Sequence, residues 1–106
     1  MSILDNYDPG EDLLFLAETD TEDARLKRCV EVADYVAKKT KDIEYQAADG
    51  SIELRKAVAG SSPDYEQKKE LYFDAYQESQ AMQNKRKTAQ LRLEIWRSLN
   101  ANRRQG

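Results

Sequence analysis

A chain of 106 residues has the length of one domain, and its net charge of −3, with 40% hydrophobic and 35% charged residues, describes a polar composition that does not demand disorder. It has no histidine and one cysteine, Cys29. It therefore lacks the usual general base near neutral pH, the commonest metal ligand, and any disulfide or CxxC pair within the chain. These absences argue against a hydrolase, a metalloenzyme or a redox enzyme, so a non-enzymatic protein without cofactor or metal is expected.

Residues 1–18 contain Pro9-Gly10 and read as an acidic arm, irregular at first, with helix only from Asp12. The apolar run Leu13 to Ala17 is five residues long and surrounded by acids, too short for a signal peptide or a membrane span. No targeting segment is expected, and the reading is a soluble cytoplasmic protein, in the host cytoplasm if phage-encoded. Thr19 with Glu22, and Asp20 with Asp23, offer capping boxes for a helix over about 20–48. In that helix Leu26, Ala33 and Thr40 take one heptad position, and Cys29, Val36 and Ile43 the other. Asp49-Gly50 predicts its end.

Ser51 caps a short helix over 52–59, ended by Gly60. Ser62-Pro63-Asp64 then combines a capping serine, proline at the first helical position and an acid in the first turn. No further proline or glycine occurs before Gly106, so one helix is predicted over about 63–102, roughly 60 Å long. Its stripe is Tyr72, Ala75, Ser79, Met82, Arg86, Ala89, Leu93 and Trp96, spaced alternately by three and four. The fold class is therefore all-α: a helical hairpin with a long C-terminal helix, forming one helical domain over 19–106 behind the arm. A first helix starting near 20 covers only part of that stripe. A coiled-coil-like homo-oligomer is thus expected, with Tyr72, Ala75, Met82, Ala89 and Leu93 at the oligomer interface.

The small net charge hides a division along the chain. Residues 1–24 hold eight acids and no base, whereas residues 83–106 hold seven bases and one acid, Glu94. Such ends attract each other, within a molecule or between copies, or attract partners of opposite charge. Lys85, Arg86, Lys87, Arg92, Arg97, Arg103 and Arg104, with Trp96 interleaved, are the candidate nucleic-acid contacts, since cations meet phosphates and an indole stacks on a base. The plainer alternative makes Trp96 a core residue and the bases a solvated face. Leu13, Leu14, Phe15 and Leu16 are candidate partner-binding residues on the acidic arm, or a cap on the chain's own core. The six tyrosines and Cys29 read as packing residues.

Four segments carry a resemblance: Ser51 to Ala57 (Ser-Ile-Glu-Leu-Arg-Lys-Ala), Tyr65 to Tyr72, Asn84 to Ala89 (Asn-Lys-Arg-Lys-Thr-Ala), and above all Leu93 to Arg104 with its Trp-Arg-Ser-Leu-Asn core. Together they cover about half the chain and are similar to small helical accessory proteins of phages, including the recombination-mediator type. The resemblance implies a protein that works beside a recombinase or a single-strand-binding protein, and it carries no catalytic motif. The first expectation is an oligomeric accessory protein of phage nucleic-acid metabolism or recombination, with single-stranded DNA and a recombination or host protein as partners. The second is a protein-binding module, either an inhibitor of a host protein or a virion assembly adaptor. The third is a purely structural coiled coil. No membrane partner is expected.

Overall fold

A computed structural model of the chain describes residues 6–105, with side chains through Arg103. It is all-α: helices α1 (Pro9–Ala47), α2 (Ile52–Gly60) and α3 (Pro63–Gln105), with no strand among the described residues. The chain forms two compact units. The first joins the residues up to Ala24 with those from Gln80 onward, and the second comprises Arg25 to Ser79.

α1 starts at Pro9, so the segment read as an arm over 1–18 is helical from that point. Asp8 supplies the start: its Oδ1 accepts from the Gly10 N–H at 2.9 Å, and its carbonyl accepts from the Glu11 N–H at 3.2 Å. Pro9 then sits where the first turn has no hydrogen bond to lose. Thr19 is mid-helix and does not cap; its hydroxyl donates to the Phe15 carbonyl at 2.7 Å. α1 ends at Ala47, and the chain turns through Gly50 at φ +107°, a conformation that L side chains rarely adopt.

Both serines read as caps do that work. The Ser51 hydroxyl accepts from the Leu54 N–H at 3.2 Å, and the Ser62 hydroxyl from the Tyr65 N–H at 3.0 Å. α2 runs one residue further than expected, through Gly60 to a cap at Ser61, and α3 continues past Asn102 to Gln105.

In the second unit, Leu26, Ala37 and Ala59 are buried, with Ser79 closing the α3 face at 3% exposure. The α1 seam differs from the sequence reading at one of its two heptad positions. Leu26, Ala33 and Thr40 face inward as expected, but Val30 and Ala37 take the other row, while Val36 and Ile43 are exposed. An apolar residue on either side of a seam satisfies the same spacing, and the smaller alanine lies where the helices approach.

In the first unit α1 and α3 run antiparallel, since Asp12 meets Arg92 whereas Asp20 meets Arg86. Ala89 is fully buried and Leu93 nearly so. Of the five residues expected at an oligomer interface, two are therefore covered by the chain itself. Ala89 and Leu93 are core of the single chain, and Tyr72, Ala75 and Met82 are half-buried in it. The reason is the length of α1: by starting at Pro9 it supplies the helix that α3 lacked in a 20–48 reading.

Candidate functional site

The first unit gathers most of the acids and bases that the sequence segregates to its two ends. Two clusters result. In one, Arg92 donates from Nε to Asp12 Oδ2 at 2.9 Å and from NH2 to Asp12 Oδ1 at 2.8 Å, a fork-to-fork pair. The Tyr7 hydroxyl donates to the same Oδ2. The Asp12 side chain is 8% exposed and that of Arg92 48%. The Arg92 hydrogen bonds hold the Asp12 carboxyl below its usual range, with the Tyr7 bond adding to the effect and loss of water opposing it. The Tyr7 phenol is pushed up to about 12, first by loss of water around it and then by its bond to that carboxylate.

In the second cluster Arg86 crosses the seam. Its NH1 donates to the Leu16 carbonyl at 2.8 Å and to the Thr19 hydroxyl at 2.7 Å, and its NH2 to Asp20 Oδ1 at 3.2 Å. Its Nε lies 3.8 Å from Asp23 Oδ2. With only 14% of its side chain exposed, Arg86 ties α3 to α1 through the Leu16 carbonyl, Thr19, Asp20 and Asp23 together.

These contacts sort the bases proposed as nucleic-acid contacts. Arg86 and Arg92 are occupied within the chain, which removes Arg86 and half-removes Arg92 from any external surface. Trp96 is half-buried on the α3 seam beside Leu93. Lys85, Lys87, Arg97 and Arg103 are exposed and make no ion pair among the described residues. The side chain of Arg104 lies outside the described residues.

Lys85 also lines an open groove of about 510 Å³, together with Asp12, Phe15, Asn84, Thr88 and Arg92. Thr88 donates to the Asn84 carbonyl at 3.0 Å, and the Asn84 side-chain oxygen accepts from Gln80 at 3.1 Å. The groove thus sets an exposed ammonium and a half-exposed guanidinium beside an aromatic ring, the Asp12 carboxylate paired with that guanidinium, and neutral hydrogen-bonding groups. Of the partner-binding candidates, Leu13 and Leu14 are exposed, while Phe15 and Leu16 are half-buried in the unit. Sequence reasoning missed Tyr7 and the individual role of Asp12. The available signal was the Asp8-Pro9 start, which places Asp12 on the inner face of a helix rather than on an arm.

Among the described residues no cluster of three or more His, Cys, Asp or Glu could hold a metal ion, and no helix is long and apolar enough to cross a membrane. Compared with known proteins, the chain matches no family model, no curated protein and no solved structure.

Proposed function

We propose that this protein is a non-enzymatic, oligomeric accessory protein of phage nucleic-acid metabolism or recombination, which contacts single-stranded DNA through the outer surface of α3. The observation that carries this reading is the separation of the C-terminal cations into two sets. Arg86 and Arg92 hold the hairpin together, and Lys85, Lys87, Arg97 and Arg103 are exposed and make no ion pair among the described residues. Free cations along one helix meet phosphates in a sequence-tolerant way. The groove beside Lys85 supports the same reading, since Phe15 offers a stacking surface next to that ammonium.

A second reading, a protein-binding module without nucleic acid, draws on Leu91, Ile95 and Leu99. These are exposed on α3 at successive four-residue steps and form an apolar row outside the seam. Electrophoretic titration of single- and double-stranded oligonucleotides at two salt concentrations separates the readings. Retardation that weakens with salt supports the first, and no retardation at low salt leaves the second.

A further inference from the structure

The second unit carries an open apolar groove of about 350 Å³ beside α1. Cys29, Val32 and Val36 of α1 and Leu71 of α3 form its floor, and Arg25, Arg28 and Lys68 its edges. Val32, Val36 and Leu71 are all exposed. Arg28 lies 3.4 Å from Glu31 and Lys68 3.9 Å from Asp64, local pairs that another carboxylate replaces at little cost. The groove therefore suits an apolar side chain with a negative charge on either side.

The first unit presents such a group. Leu14 is 58% exposed on α1, with Glu11 one turn before it and Glu18 one turn after it on the same helix face. Both glutamates are exposed, and neither has a side-chain partner among the described residues.

We propose that Leu14 of one copy, flanked by Glu11 and Glu18, seats in the groove formed by Val32, Val36 and Leu71 of a second copy, with Arg25, Arg28 and Lys68 meeting the two glutamates. Charge selects this occupant. Groove against groove would set Arg25, Arg28 and Lys68 of one copy beside the same three cations of the other. Leucine against groove instead pairs unlike charges around an apolar centre. The two surfaces differ, so the interface is heterologous, and every copy carries one of each. The proposal rests on the protein being an oligomer and uses none of Lys85, Lys87, Arg97 or Arg103.

The test measures mass by light scattering at micromolar concentrations for the wild type, Leu14→Lys, Val32→Glu and an equimolar mixture of the two variants. Both substitutions are at exposed helical positions and introduce good helix formers, and circular dichroism checks that helix content is kept. The wild type should exceed monomer mass, and each variant alone should be monomeric. The mixture should recover a two-chain complex, because Leu14→Lys keeps its groove and Val32→Glu keeps its leucine. Labelling of the single thiol, Cys29, should be several-fold slower in the wild type than in Leu14→Lys. An assembled wild type whose mass neither variant changes overturns this interface and leaves the oligomer reading intact. Failure of the mixture to recover mass replaces it with a contact of like surfaces. A monomeric wild type overturns both the interface and the oligomer reading, and leaves the groove to an acidic apolar segment of a different protein.

Discussion

Asp12 and Arg92 meet carboxylate to guanidinium through two hydrogen bonds of 2.9 and 2.8 Å, joining the first turn of α1 to the C-terminal half of α3. Because Tyr7 donates to the same carboxylate, one oxygen links three side chains whose titrations lie at opposite ends of the pH scale. Asp12, held below its usual value, stabilises the folded chain above pH ~4, and that contribution is lost as pH falls through its folded value. Tyr7 is the reverse case. Its phenol stays protonated up to about 12 when folded but ionises near 10 when unfolded, so stability falls with rising pH between those values. Urea melts of wild type and Tyr7→Phe at pH 8 and pH 11 check this. The wild type should lose more stability than the variant over that interval, and equal losses would place Tyr7 in water.

Arg86→Met should destabilise the hairpin more than any neutralisation at an exposed base. It removes the guanidinium from the Thr19 hydroxyl, which keeps its bond to the Phe15 carbonyl, and from the 10%-exposed side chain of Asp23, at a cost of about 1–3 kcal/mol in all. Thermal unfolding should show it, since 1 kcal/mol shifts the midpoint by roughly 4–8 °C in a domain of this size. Lys87→Gln should leave the midpoint within about 2 °C, because exposed charges contribute little.

Changing Lys85, Lys87, Arg97 and Arg103 together to Gln should abolish most binding to single-stranded oligonucleotides without changing helix content. If each cation meets one phosphate, the wild-type logarithmic salt slope includes about −2.8 from these four, and a fourfold rise in salt weakens binding by roughly 50-fold. The variant should show a slope shallower by that amount. An unchanged slope would move the contact elsewhere on the chain.

Gly50→Ala should cost about 1–3 kcal/mol by chemical denaturation, because alanine resists a φ of +107°. An added Cβ would also lie 2.7 Å from the Leu54 side chain, which is exposed and free to move aside. The strain is therefore in the backbone, and truncating Leu54 should not rescue the variant.

The fold was legible wherever a local rule had one solution. Ser62-Pro63-Asp64 and Ser51 each mark a start whose side-chain oxygen accepts from the backbone two or three positions on, and both do so in the structure. Asp8-Pro9-Gly10 obeys the same rule, but glycine beside proline also reads as a turn, and that ambiguity hid the first turns of α1. Without those turns, α3 needs another chain to cover Ala89 and Leu93. The α3 stripe itself was read in the right register, including Ser79 and Arg86, because alternating steps of three and four define one face. On α1, Val36 and Ala37 satisfy the period equally, and closeness of packing, which spacing does not encode, decides between them. The attraction between the acidic head and the basic tail was visible as composition. Which base meets which acid depends on the antiparallel register, and so only the folded chain separates Arg86 and Arg92 from Lys85 and Lys87.

Ala37, Ala59 and Ala89 make up three of the five buried apolar residues among those described, and no large side chain is fully buried. Alanine yields little nonpolar surface to water when a helix pair comes apart, and heat capacity of unfolding follows that surface. Calorimetry should therefore record an increment below the roughly 12–15 cal/mol/K per residue of ordinary globular domains, and a free-energy curve with less curvature in temperature. Such a protein resists cold denaturation. Its tolerance of heat is set by the enthalpy of its helices and its two arginine clusters rather than by the hydration of a core.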